Sequence, residues 1–340
     1  MARTRLDVSR EQILAFRRQG GALDKRLPAN ADSLRTAAWA GLQDSMPRAA
    51  LLSIHARVQD TGPDALDHPS LAQVWGPRFS LFVVAEHDVP IFTLGRYPTD
   101  ARGRAVADAA AARLHKALGD RRITYGQAGA ELGVPPNSLR YATTTGMVRL
   151  RWEGARAPKI WVVPPPDMTA REAQLELARR YLHVYGPTTP AAFSKWAGIG
   201  VADGPRAFDG LGDEVVPVAT PIGDGWILAA DEAAFRAGAN APAKARLLPS
   251  GDSFWLYHGR ERELLVPDPK RRDDLWTSRV WPGALLVNGE VAGTWRRANE
   301  RMSIQSWRRL APAQREAVED EANALPLPGL NGPMQITWES

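Results

Sequence analysis

One internal repeat limits what this chain can fold into more than any other feature. Thr124 opens "TYGQAGAELGV" and Thr189 opens "TPAAFSKWAGI". In both, a glycine (Gly133, Gly198) stands nine residues on, and a β-branched residue (Val134, Ile199) follows it. A hydroxyl that can cap a first turn, a short run, then a glycine is the start and stop signal of a helix. The flanks match in kind as well. Upstream lie "ARGRAVADAAAARLHKALG", closed by Gly119, and "REAQLELARRYLHVYG", both read as long helices. Downstream, "PPNSLRYATTTG", with Asn137 or Ser138 as N-cap, and "GVADGPRAFDGLG" each supply a third helix. Two ribbons complete the pattern: "MVRLRWEG" and "PKIWVVP" joined by a Gly-Ala-Arg-Ala loop, and "VVPVATPIGDGWILAA" with glycine at its turn. Helix, helix, tight turn, helix, hairpin is the order of a winged helix. Two copies about 65 residues apart make the repeat the organising unit. A weaker copy is placed in residues 9–45.

The remainder is read around that pair. Ser9 with Gln12 forms a capping box for "REQILAFRRQGG", and a second helix is expected from about Ser33 to Leu42. "VWGPRFSLFVVAEHDVPIFTL" reads as short strands broken at Gly-Pro and Asp-Val-Pro. From Arg246 the pattern turns to β: "LLPSGDSFWLYHGRERELLVP", "ALLVNGEVAGTWRR" and "MSIQSWRRL", with Asn288-Gly289 as a type I′ hairpin signal. A helix at "APAQREAVEDEANALPL" closes the chain, followed by a poorly patterned tail. The expected fold is α+β: tandem winged-helix (helix-turn-helix) units followed by a small C-terminal β-barrel. Its boundaries are 1–98 (a winged-helix-like unit), 99–168 and 169–245 (winged helices), 246–310 (barrel) and 311–340 (helix and tail).

Chemistry is concentrated in one place. In "AAWAGLQDSMPRAALLSIHAR", Gln43, Asp44 and Ser45 interrupt two apolar runs. A loop between helices explains them blandly; a reaction centre on rigid flanks explains them sharply. The 340-residue chain has no cysteine, which excludes disulfides and thiolate chemistry, and its six histidines show no metal-ligand spacing. No metal or cofactor is expected. "MARTRLDVSR" lacks a secretory core and no apolar run approaches the roughly 20 residues of a membrane span, so a cytoplasmic protein is expected. The net charge of +5 is carried largely by arginine, which holds phosphate in two-pronged fashion. Arg140 and Tyr141 on the third helix of the first copy, with Arg149, Arg151, Arg156 and Lys159 on its wing, suit nucleic-acid phosphates. The plain alternative for each is a solvated charged face. Twelve tryptophans are many; Trp39, Trp161, Trp196, Trp226 and Trp295 sit in apolar contexts suited to core packing.

"GLQDSMPRAALLSIHARV", "HVYGPTTPAAFSKWAGI" and "ALLVNGEVAGTWRR" resemble the winged-helix DNA-binding proteins that include the AlkZ and YcaQ DNA glycosylases. The likeness runs from about Val8 to Pro328. It implies tandem winged helices and a C-terminal barrel curved around a DNA-binding concavity. It also implies metal-free, monofunctional cleavage of the N-glycosidic bond of alkylated purines, in some members within crosslinks. The family signature, Gln-apolar-Gln or Gln-apolar-Asp, puts Gln43 first and Ser45 third. Here the middle residue is Asp44 and the third is a serine. Three readings are open: Asp44 replaces the missing third group, Ser45 places a water alone, or the centre is inactive and the chain is a DNA-binding regulator or lesion-binding relative.

For an active centre the expected roles are Gln43 orienting water, Asp44 stabilising the sugar cation or acting as base, and Ser45 assisting. On that basis Asp44→Asn is expected to be sharply impaired. His55 is an optional helper, set against the commoner hydrogen-bonded core histidine. Arg48 and Arg57 are candidates for phosphates beside the site, or for structural ion pairs. Lys195, Arg296 and Arg297 complete the DNA-facing set. Double-stranded DNA bound by a monomer, at the nucleoid, is the expected partner.

Overall fold

The computed structural model describes residues 6–46, 48–153, 156–237, 241–329 and 332–339. Gly154 and Ala155, in the loop expected to join the first ribbon, lie outside them.

The repeat is visible as backbone geometry. Thr124 caps Tyr125–Leu132 by accepting from Gln127 N at 3.3 Å, and Thr189 caps Pro190–Ala197 by accepting from Ala192 N at 3.2 Å. Gly133 (φ 62, ψ 35) and Gly198 (φ 69, ψ 39) end those helices in the left-handed region, where a side chain is disfavoured. The long helices before them are Ala101–Leu118 and Ala170–Tyr185. Two-stranded ribbons follow at Val148–Arg151 with Lys159–Val162, and at Val215–Thr220 with Gly223–Leu228.

The third elements differ. The second copy has an α-helix, Asp203–Leu211. The first copy instead has a 3-10 helix, Pro136–Thr145, entered from Pro135 rather than capped by Asn137 or Ser138. Thr143, Thr144 and Thr145 each donate a hydroxyl to the carbonyl three residues back, at 2.7, 2.8 and 2.7 Å. Three β-branched residues in a row thus favour the tighter winding.

Three sheets hold these units together. The Leu42–Gln43, Leu81–Ala85, Leu71–Trp75, Val148–Arg151, Lys159–Val162 and Ile123–Thr124 strands form an antiparallel sheet in that order. Leu6–Asp7 lies parallel to Val215–Thr220 at the edge of the second ribbon. Strand pairing therefore crosses the boundaries drawn at residues 98 and 168. The largest hydrophobic cluster also crosses them, taking in Leu14, Phe82, Tyr181, Trp196, Trp255 and Leu286.

Three expectations are corrected. Residues after Asp88 do not extend as a strand: Val89–Thr93 is helical, with Pro90 in its first turn where a missing N–H costs nothing. The second helix runs over Ala31–Ala37, capped by Asn30, and stops before Gly41. The C-terminal β-region is an open sheet, not a barrel. Ala245–Leu248, Gly283–Val287, Glu290–Ala298, Arg301–Ser306 and Gln335–Glu339 line up in that order, and among the described residues no sheet closes on itself. Residues 249–267, expected as strands, are turns and short helices such as Arg262–Leu265, so they add no strand to this sheet. Asn288 (φ 52) and Gly289 (φ 79) both turn left-handed, as a type I′ hairpin requires. The helix Pro312–Asn323 packs on this sheet through Val318 and Ala322.

Candidate active site

Strand alternation decides how the polar trio is displayed. Gln43 pairs with Phe82, and Asp44 N donates to Leu81 O at 2.8 Å, so extended backbone carries the trio to the sheet edge. Residues two apart on a strand share a face. Gln43 Nε2 accordingly donates to Ser45 Oγ at 3.0 Å, with Ser45 exposed and Gln43 half-buried.

Asp44 turns to the opposite side. Its Oδ1 accepts from Ala50 N at 2.9 Å, at the start of the helix Ala49–Arg57. Arg48, the residue at the N-cap, is left-handed (φ 66) and supplies no side-chain cap. Asp44 takes that role from the preceding strand, satisfying an orphan donor at the positive end of the helix. Burial raises its pKa to about 6, against the lowering effects of the Ala50 and Ala49 amides and Arg48. The carboxylate expected to face a sugar cation is thus committed to the fold behind the trio.

Two residues that the motif did not announce complete the exposed face. Arg78 Nη2 donates to Gln43 Oε1 at 3.4 Å, and Arg78 Nη1 lies 2.6 Å from His258 Nε2. Burial first, then the charges of Arg78, Lys195 and Arg262, lowers the His258 pKa to about 4, so above that its neutral Nε2 accepts from Arg78. The turn carrying Arg78 follows Gly76-Pro77, and Arg78 (φ 54) and Phe79 (φ 56) are consecutively left-handed. Beneath it the buried Arg96 donates to Trp75 O at 3.1 Å and Ala197 O at 2.8 Å, its guanidinium 4.5 Å from the Phe79 ring centre. The sequence signal was only "GPRF", read as a strand break; two successive left-handed residues have no composition signature.

The other predicted residues fall into two groups. Arg57 is buried and forks onto Asp252 at 2.7 and 2.8 Å, so its charge is held inside rather than offered to a phosphate. His55 is also buried, with Arg26 Nη2 3.1 Å from its Nε2, and burial with Arg26 and Arg246 takes its pKa down to about 3. It is a neutral core histidine held by Arg26. Arg140 is half-buried against Tyr125, donating to its hydroxyl at 3.1 Å. Arg149 pairs with Glu86 at 3.2 Å, Arg151 with Asp67 at 2.6 Å and Lys159 with Glu153 at 3.1 Å. Tyr141, Arg156, Lys195 and Arg296 are exposed; Arg48 and Arg297 are half-buried. The Lys195 charge is among those that lower the His258 pKa.

A cleft of about 530 Å³ adjoins the trio, lined by Met46 and Ala49 on one side and by Trp281, Arg296, Arg297 and Arg301 on the other. Among the described residues no group of three or more His, Asp or Glu is placed to hold a metal ion, and no helix is long and apolar enough to cross a membrane.

Comparison with known proteins bears on this geometry. Over 165 residues the chain is 27% identical to an interstrand DNA cross-link repair glycosylase of Streptomyces sahachiroi, a stretch covering 47% of this chain and 43% of that protein. The chain thus spans less than half the length of that curated relative. The solved structure of Streptomyces sahachiroi DNA glycosylase AlkZ superposes with a TM-score of 0.80 at 18% identity, covering 98% of this chain and all of the other, so the fold is shared. The model of the AlkZ-like DNA glycosylases matches residues 36–326, a span that includes Gln43, Ser45, Arg78 and His258. With most of its length matched, this chain belongs to the AlkZ-like DNA glycosylase family.

Proposed function

We propose that the chain is a monofunctional DNA glycosylase that hydrolyses the N-glycosidic bond of alkylated purines, crosslinked adducts included. It acts as a monomer on double-stranded DNA through its two winged-helix units, in the cytoplasm at the nucleoid. The observation that carries this reading is the Gln43–Ser45 pair, hydrogen-bonded at 3.0 Å with Arg78 donating to the Gln43 amide oxygen. Alkylation at N7 or N3 leaves the purine cationic, so the C1′–N bond breaks with its electron pair passing to the base. The remaining demand is to stabilise the sugar cation and seat a water at C1′. An amide oxygen and a hydroxyl meet it: Gln43 Oε1 and Ser45 Oγ hold the water as its oxygen bonds to C1′, and its proton passes to solvent. Asp44 anchors the pair by capping the helix behind them, which differs from the role of base expected from sequence.

A duplex carrying 7-methylguanine, treated with alkali after incubation, tests this. Gln43→Ala should lower excision on the order of 100-fold and Ser45→Ala about tenfold. Asp44→Asn, which keeps the Oδ1 acceptor, should stay within about fivefold of the parent. Absence of scission by the parent protein, together with salt-sensitive duplex binding, would establish the alternative, a non-catalytic DNA-binding relative. Loss of excision in Asp44→Asn would return the carboxylate to the chemistry.

A further inference from the structure

A primary amide can present either its oxygen or its nitrogen to a ligand, so a working glutamine needs something to choose. We infer that Arg78 makes this choice for Gln43, and that His258 and Gly198 hold Arg78 in place to make it. This rests on the reading of Gln43 as the group that seats the water.

The contacts define one orientation. Ser45 Oγ takes the Gln43 Nε2 donor at 3.0 Å, and Arg78 Nη2 gives to Oε1 at 3.4 Å. Rotating the amide by half a turn would set its NH2 against the guanidinium, donor to donor. Arg78 is fixed in turn. Its other nitrogen, Nη1, meets the His258 Nε2 at 2.6 Å, an acceptor only while the imidazole is neutral. Its backbone is left-handed, a conformation that disfavours a non-glycine residue and persists only where the surroundings impose it. The imposing surface is Gly198: a Cβ there would lie 2.9 Å from Arg78 Cα and 3.0 Å from its N. A glycine of a distant segment and a neutral histidine thus converge on Arg78, and through it on one amide. Arg78 is a positioning residue, touching Gln43 rather than the bond that breaks.

The test separates positioning from phosphate binding and from mere stability. Single-turnover excision of 7-methylguanine and duplex affinity are measured for Arg78→Ala, Arg78→Lys, His258→Gln and His258→Leu. Misplacement of the amide predicts a fall in the chemical rate of about 10- to 100-fold in Arg78→Ala with affinity changed less than about threefold. His258→Gln, which retains an acceptor, should keep most of the rate, and His258→Leu should lose it. A loss confined to affinity would make Arg78 a phosphate clamp and overturn the inference. The Gln43 side-chain NH2 resonances, assigned by their disappearance in Gln43→Ala, give a readout independent of turnover. They should move toward free-amide positions in Arg78→Ala. Unmoved resonances would overturn the inference even if the parent protein excised nothing, whereas moved resonances with no excision would leave Arg78 positioning an amide whose assigned chemistry is wrong.

Discussion

The two copies of the repeat share a frame and differ in where they sit. In the first, only Ala107, Ala111, Leu114 and Leu118 of the long helix are buried, and Gly133 faces open space. In the second, Ala170–Tyr185 buries Ala173, Leu177, Ala178, Tyr181, Leu182 and Tyr185 along with Arg180, and Gly198 is pressed against Arg78. One copy is a peripheral module with a basic ribbon; the other is the floor on which the Gln43 face is assembled. A helix cap that is idle in one context has become a steric contact in the other. Sequence likeness between repeats therefore reports shared backbone, not shared duty.

Paired substitutions at equivalent kinds of site can break or sharpen that contrast. The widest gap is expected at ion pairs. Asp88 forks onto Arg180 of the second long helix, with both side chains under a tenth exposed. Asp88→Ala removes both bonds of the fork, leaving the buried guanidinium only Glu176 and the Trp39 carbonyl, and should destabilise by about 3–5 kcal/mol in urea unfolding. In the first copy Arg121–Glu131 is exposed on both sides, and Glu131→Ala should leave the denaturation midpoint unchanged. Equal losses would dissolve the distinction between floor and periphery.

A smaller gap is expected at the glycines. Gly133→Ala adds a methyl to open space and should cost about 1 kcal/mol for the left-handed backbone alone. Gly198→Ala should cost about 2–4 kcal/mol, because the methyl also meets Arg78. Excision should fall only in the second.

The smallest effect is one of sign. Glu261, which accepts from Thr188 Oγ1 at 2.7 Å beneath the second copy, has its pKa raised from 4.5 chiefly by burial. A raised folded-state pKa means stability that is full below the unfolded value and lost as pH rises through the folded one. Glu261→Gln should therefore gain on the parent between pH 4.5 and 8. Glu131 has its pKa lowered, first by the Arg121 hydrogen bond, so its contribution is present above 4.5 and lost on acidification. Glu131→Gln should shift the same curve slightly the other way. Melting temperatures across that range check the Glu261 slope, and melting temperatures below pH 4.5 check that of Glu131.

Much of this frame was legible in the chain. Thr124 with Gly133 and Thr189 with Gly198 were readable because caps and stops act locally, within one turn of helix. So were Ser9 with Gln12 and the Asn288-Gly289 turn. The absence of a barrel was not, since closure depends on which strands form and pair, and residues 249–267 read as alternating while folding as turns and short helices. In the site, Gln43 and Ser45 were singled out through the resemblance to a family motif. That Asp44 would give its Oδ1 to Ala50 N was not legible, because side-chain polarity says nothing about which group will meet a helix end. Arg57 and His55 showed charge and chemistry in sequence, yet the fold places them against Asp252 and Arg26. Arg78 and His258, 180 residues apart, meet only through tertiary packing.

Arg96 carries one more consequence. Its pKa, brought down to about 9 by burial, leaves it charged at neutral pH, and among the described residues it meets carbonyls and an aromatic face but no carboxylate. Mobile ions do not reach a cation sealed under the Phe79 ring. At neutral pH the surface above it keeps an electropositive bias that added salt weakens less than that of exposed arginines and that stripping every outer arginine would leave standing.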